Sequence, residues 1–252
     1  MSLATTPAIL LRSHPYSETS QVLRFYSGDL GVLAVLAKGV RKAGGRRGGA
    51  LSTFVQGDLT LYHKESRELQ TFKEFSPDST HRRTLGRDPL RLAGAAVLGE
   101  LVLQHAGSDR NPELFSVLSC GLDAVDISED RALIPTLLRE VWSVIRELGY
   151  APSLERCVAC GGKLGPEEQG RFDFAEGGTR CPRCQEGNHG PRVGPRAREE
   201  LRDLVDGTLP TDLQRSKAHL RLASDFITYH ISGGTPLRSF NVLETLIPKD
   251  HA

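Results

Sequence analysis

The 252-residue sequence predicts an α+β chain with more than one domain. A five-stranded β-barrel comes first, followed by an all-α helical bundle that is interrupted by a small insertion built on four cysteines. Three observations predict it. Short runs of β-type composition fill the chain up to about residue 75, and helical periodicity takes over at residue 88. Two CxxC pairs, Cys157/Cys160 and Cys181/Cys184, then stand with twenty residues between them. The expected domains are 1–80 for the barrel, 81–150 for the first part of the helical domain, 151–194 for the insertion and 195–252 for the remaining helices.

The strands are expected near 7–12, 20–26, 31–38, 54–62 and 68–75. The second and fifth alternate, with Gln21, Leu23 and Phe25 opposing Val22, Arg24 and Tyr26, and with Leu69, Thr71, Lys73 and Phe75 opposing Gln70, Phe72 and Glu74. A period of two marks a half-buried strand. SGDLG joins the second and third strands as a tight turn, and HKESR joins the fourth and fifth. Five short strands in so few residues suit a small closed barrel of the OB-fold or SH3-like kind, and patterning alone leaves both open.

Between the third and fourth strands, KGVRKAGGRRGGALS carries Lys38, Arg41, Lys42, Arg46 and Arg47 with five glycines and no acid. Glycine at this density gives no core, so the segment reads as a phosphate-seeking arm or as a plain solvated loop. It is not a P-loop, because no Gly-Lys-Ser or Gly-Lys-Thr follows the glycines. Arg12, Arg24 and Lys64 extend the same cationic surface, and Arg82, Arg83 and Arg87 either lengthen it or cap a domain junction. Phe25, Tyr26, Phe54, Tyr62, Phe72 and Phe75 lie among these charges. Most aromatics in a small barrel are core, which leaves Tyr26 and Tyr62 as the pair expected at the surface, where bases could stack.

The cysteine spacing is that of a zinc site closed by Cys157, Cys160, Cys181 and Cys184. Four sulfur ligands leave no position for water or substrate, so one structural zinc ion is expected, and function must lie elsewhere. His189 is a substitute ligand at most, and Cys120 reads as a buried thiol in an apolar helix. The first residues lack the basic start and long apolar stretch of a signal peptide, which predicts a reducing, cytoplasmic setting that favours metal over disulfide.

Helices are expected at 88–105, 112–126, 132–149, 196–206, 216–231 and 236–247. Asp88 is the cap of the first, with Pro89 at its opening position. Pro135 starts or kinks the third, and Thr235 with Pro236 opens the last. The formal charge of +1 hides a division. Residues 1–87 hold thirteen Lys and Arg against seven Asp and Glu, for +6, whereas residues 88–150 hold five against ten, for −5. A polyanion would therefore meet the N-terminal part. No run approaches the length of a membrane span.

Taken in order, ILLRSHPYSETSQVLRFYSGDLGVLAVLAKGVRK, LSTFVQGDLTLYHKESRELQTFKEF, LERCVACGGKL with GGTRCPRCQ, and GGTPLRSFNVLETL resemble the RecO family of bacterial DNA repair proteins. The resemblance implies an N-terminal OB-fold, a helical bundle and a zinc-binding insertion, acting without a nucleotide cofactor. It implies binding to single- and double-stranded DNA, annealing of strands coated by single-stranded-DNA-binding protein, and partnership with RecR in loading RecA. A nucleoid-associated place in the cytoplasm follows.

Catalysis is not expected. The eight histidines are scattered, and no pattern brings Glu100, His105 and Glu140 together. The competing class is an RNA-binding OB and zinc-ribbon module of ribosome assembly or transcription, which would prefer the 2′-hydroxyl.

Overall fold

A computed structural model of the chain describes residues 2–40, 51–78, 82, 84–187 and 189–247. The chain forms two compact units, Met1–Ile127 and Ser128–Ala252. The cations Arg41, Lys42, Arg46, Arg47 and Arg83 lie outside the described residues.

In the first unit, strands β1 (Ser2–Pro15), β2 (Gln21–Ser27), β3 (Gly31–Ala37), β4 (Gln56–His63) and β5 (Leu69–Pro77) close into a barrel in the order β1-β2-β3-β5-β4. Every pairing is antiparallel except β3 with β5. This connectivity is that of the OB-fold. β1 is longer than its apolar segment suggests because it serves two neighbours: Ser2–Ile9 pairs with β4 and Ala8–Pro15 with β2, across an irregularity between Leu10 and Arg12. A bulge of this kind bends one strand enough to join both sides of a closed sheet.

Ala8, Leu10, Leu23, Phe25, Val35, Leu59 and Leu61 fill the interior, as alternation predicts. Alternation fails in β5. The register slips between Thr60 and Leu61, whose partners are Glu74 and Phe72, so the strand changes phase and Phe72 packs against the same core as Phe75. The expected opposite facing of these two rings is thereby corrected.

Ile9, Leu11 and Tyr26 are buried although they alternate with the barrel core. Their cover includes α1 (Pro89–His105) and α2 (Pro112–Ile127), which contact β1 and β2. α1 opens as expected, with Asp88 Oδ1 accepting from the N–H groups of Leu90 and Arg91 and Pro89 at the first position. Gly99 lets α1 approach closely, since a Cβ there would stand 3.0 Å from the Phe54 ring. Tyr26 is therefore not a surface ring: it is 1 % exposed, faces Phe115 of α2 at 6.3 Å and donates its hydroxyl to Asn111 O. Cys120, expected to be buried, is exposed on α2.

The second unit begins with a 3₁₀ turn and α3 (Leu133–Glu147), where Pro135 falls in the first turn and removes no helical hydrogen bond. A three-stranded sheet follows, in the order β7-β6-β8, from β6 (Gly170–Asp173), β7 (Gly178–Arg180) and β8 (Arg192–Val193). Then come α4 (Pro195–Val205), α5 (Ser216–His230) and α6 (Arg238–Leu246). α3 packs on α4 and α5, and α5 on α6. Trp142 meets Phe226 at 5.3 Å, and Phe172 of the small sheet meets the same ring at 6.2 Å, so α5 anchors both helix and sheet. α6 begins later than Thr235 and Pro236 suggest, because Leu237 is extended and 1 % exposed and carries the chain into the core before it turns helical. The break between units, after Ile127, falls inside the stretch 81–150 that periodicity assigned to one helical segment. Among the described residues no helix is long and apolar enough to cross a membrane.

Candidate metal centre and nucleic-acid surface

Each CxxC pair sits in a turn closed by backbone hydrogen bonds. In the first, the Cys157 N–H donates to Gly162 O at 2.8 Å and the Gly161 N–H to Cys157 O at 2.8 Å, with Gly161 at φ +70°. Only glycine takes that conformation without strain. In the second, the turn Pro182–Cys184 brings the Cys184 N–H to Cys181 O at 3.0 Å. The Cys181 N–H also reaches Cys157 Sγ at 3.3 Å, which ties the two turns together.

The four sulfurs lie within 4.8 Å of one another, and Cys160 Sγ is 4.0 Å from Cys181 Sγ. Four zinc–sulfur bonds of about 2.3 Å in a tetrahedron place sulfurs about 3.8 Å apart. The cluster therefore fits the ion in number, element and spacing, and His189 lies outside it.

The titration of these thiols points the same way. Burial pushes Cys157 up, but backbone hydrogen bonds from Cys181, Cys160 and Ala159 outweigh it and bring the thiol down to about 6. Cys184 is pushed up to about 12, first by hydrogen bonds with the Cys181 and Cys160 sulfurs. Neighbouring thiols that cannot all ionise together are what a divalent cation resolves, because its charge holds every sulfur as thiolate. Asp173 braces the sheet behind the cluster. Burial raises its carboxyl, but the Glu176 N–H and the Arg180 guanidinium, which bonds Asp173 Oδ2, leave it below the usual carboxylate range.

On the barrel, the structure brings some of the expected cations together. Arg12 stands directly opposite Arg24 in the β1–β2 pairing, so their side chains share one face. Arg12 is exposed. Arg24 is half-buried, and its Nε has no hydrogen-bond partner among the described residues. Lys38 is exposed just past the end of β3, and Lys64 is exposed in the turn after β4. Gln70 shapes that turn by accepting from the Lys64 N–H at 2.8 Å and donating to Lys64 O at 3.1 Å.

Arg24 also lines a groove of about 720 Å³, together with His63 and Arg67. Asp29, Glu65 and Glu68 line it too, so the groove is not a continuous phosphate track. The cationic character is concentrated at the Arg12–Arg24 pair, of which Arg24 reaches the groove. Arg67 was not singled out by the sequence, where it sits in a short turn flanked by Glu65 and Glu68. Tyr62 is 40 % exposed, as expected of a ring at the barrel surface.

Arg82 is no part of that surface. Its side chain is 1 % exposed and donates to Asp123 Oδ1 at 2.8 Å, Phe54 O at 2.8 Å and Ser119 O at 3.0 Å. Elsewhere, His219 Nε2 and Glu200 Oε2 form a buried pair at 2.9 Å between α5 and α4, a structural polar contact of the expected kind.

A family model for the N-terminal part of recombination protein O matches residues 1–79, and one for its C-terminal part matches residues 86–239. The chain belongs to the RecO family. Three relatives, each called DNA repair protein RecO, show how the likeness is spread. One from Synechococcus elongatus is 33 % identical over 67 % of this chain, and the match spans 63 % of that relative's length. One from Anaeromyxobacter dehalogenans is 33 % identical over 81 % of this chain and 79 % of its own. One from Salinibacter ruber is 27 % identical over all of this chain and 98 % of its own. Both the OB-fold barrel and the cysteine cluster fall inside the ranges matched by the two family models.

Proposed function

We propose that this chain binds single- and double-stranded DNA through the cationic side of its barrel, anneals complementary strands and, with RecR, helps RecA replace single-stranded-DNA-binding protein. The observation that carries the reading is family membership across both parts of the chain, joined to an OB-fold that sets Arg12 and Arg24 side by side. The contacts proposed are Arg12, Arg24, Lys38 and Lys64, continued by Arg41, Lys42, Arg46 and Arg47 of the glycine-rich segment.

The mechanism is electrostatic. Guanidinium and ammonium groups neutralise phosphates and leave base edges free, so two strands approach with less repulsion. No nucleotide cofactor or bond cleavage is required, and the reading assigns no catalytic residue. Cys157, Cys160, Cys181 and Cys184 would hold one zinc ion, which when bound supplies rigidity and no open coordination site. The setting proposed is the nucleoid in the cytoplasm.

The test is annealing of complementary oligonucleotides, bare and coated with single-stranded-DNA-binding protein. The five cations from Lys38 to Arg47 alone would contribute about −3.5 to the slope of log affinity against log salt on single strands. Replacing Lys38, Arg41, Lys42, Arg46 and Arg47 by Ala is expected to flatten that slope and slow annealing. Equal rates would remove the segment as a contact, and failure of the unaltered chain to anneal would remove the reading.

A further inference from the structure

We propose that the small sheet of the second unit carries a phosphate-binding site for a nucleic-acid strand, formed by Arg171 and Arg192 of a row of three arginines. This rests on the DNA-binding reading above and adds a contact that the barrel does not supply.

The row follows from register. Arg171 of β6 stands directly opposite Arg180 of β7 on one side and opposite Arg192 of β8 on the other. Directly opposed residues on adjacent strands point to the same face, with strands about 4.8 Å apart, and like charges so placed oppose pairing. Three cations in one line across a three-stranded sheet therefore cost stability unless an anion meets them.

The protein neutralises only one end of the row. Arg180 bonds the Asp173 carboxylate and reaches Cys184 O at 3.4 Å. Arg171 spends one nitrogen on a carbonyl, with Nη1 donating to Gly190 O at 2.8 Å. Arg192 is exposed, and among the described residues no carboxylate pairs with Arg171 or Arg192. These two guanidiniums line a cavity of about 550 Å³ with Gln169, Gln185 and Pro182.

Several features favour a phosphodiester over an acidic peptide. Guanidinium forks match phosphate oxygens, and the Gln169 and Gln185 amides add neutral donors. A peptide would need an aliphatic or aromatic socket for an anchoring side chain, and this lining offers only the Pro182 ring. The cysteine cluster also acquires a use: Arg180 precedes Cys181, Pro182 follows it, and Gln185 follows Cys184, so metal binding would fix the walls of the site.

The experiment uses the full chain loaded with zinc and single-stranded oligonucleotides titrated over a range of salt. Arg171→Gln with Arg192→Gln is expected to flatten the log–log salt slope by about 1.4, a loss of about 25-fold in affinity change per decade of salt. Arg192→Gln alone, which removes no side-chain hydrogen bond or ion pair found among the described residues, is expected to flatten it by about 0.7. Zinc content and circular dichroism report whether the sheet is intact; if the double variant loses its metal, the single variant decides.

A control with Arg202→Gln and Lys217→Gln removes two cations from the same unit and is expected to leave the slope unchanged. An equal loss in that control would reduce the effect to net charge and overturn the site. If the unaltered chain binds DNA and the Arg171 and Arg192 variants match its slope, the site fails while the barrel reading stands. If the unaltered chain does not bind, both fall. Loss of an aspartate-rich peptide with no change in DNA binding would overturn the assignment in favour of a protein partner.

Discussion

Arg82 has a guanidinium sealed from water and a backbone in the left-handed region, at φ +61°. Its donors satisfy Phe54 O, Ser119 O and the Asp123 carboxylate, joining the β3–β4 connection to α2. Removing the head group leaves two carbonyls and a carboxylate without their donors, which costs more than the hydrogen bonds were worth in the folded state. Arg82→Leu is therefore expected to lower stability by about 3 kcal/mol, near the low end for a broken buried pair because Asp123 keeps contact with water. Urea unfolding checks this, and an unchanged midpoint would contradict it. Sequence could not separate Arg82 from its neighbours in HRRTLGR, because a buried arginine and a surface arginine differ only in partners far along the chain. Tyr26 was misplaced for the same reason: the strand pattern shows that it leaves the barrel interior, but not that α2 covers it.

At the level of elements, what local physics determines was legible and what register determines was not. Asp88 with Pro89 marks the start of α1, and Gly161 with the CxxC spacing marks a metal turn, because each depends on residues a few positions apart. The irregularities in β1 and β5, the Arg12–Arg24 pair and the arginine row depend on which residue faces which across strands, and composition carries no trace of that. The small sheet is the element that an ion held by the four sulfurs would support most. Its strands are short, and its local core is Cys157, Leu164 and Cys181, with Cys184 against them. Beyond Phe172, which packs on Phe226, and Val193, the strands bury little apolar surface, and in such a module binding free energy becomes folding free energy. A zinc chelator is expected to speed amide hydrogen exchange from Cys157 to Val193 while amides of Leu23 and Phe25 in the barrel keep their protection. Equal protection in the ribbon with and without chelator would show that the sulfurs do not support the fold.

For the whole molecule, the matched families and the physical units divide the chain differently. The N-terminal match ends at residue 79, whereas the first compact unit runs to Ile127. Packing explains the longer unit. Outside the barrel interior, Ile9, Leu11, Tyr26 and Phe54 are buried, and residues after 79 supply part of their cover: Gly99 against Phe54 and Leu11, Phe115 against Tyr26. Arg82 and the Asp126 carboxylate, which accepts from the Leu85 N–H at 2.8 Å, tie the connecting segment to α2. A fragment ending at 79 would expose these apolar side chains, and fully burying each contributes about 1.5–3 kcal/mol. Against a marginal stability of 5–15 kcal/mol, losing even part of that is decisive. Fragment 1–127 is therefore expected to unfold in one cooperative thermal transition, and fragment 1–79 to aggregate or to lack one. If 1–79 melted as sharply and as high as 1–127, α1 and α2 would belong energetically to the remaining helices, and the boundary near residue 80 expected from composition would stand.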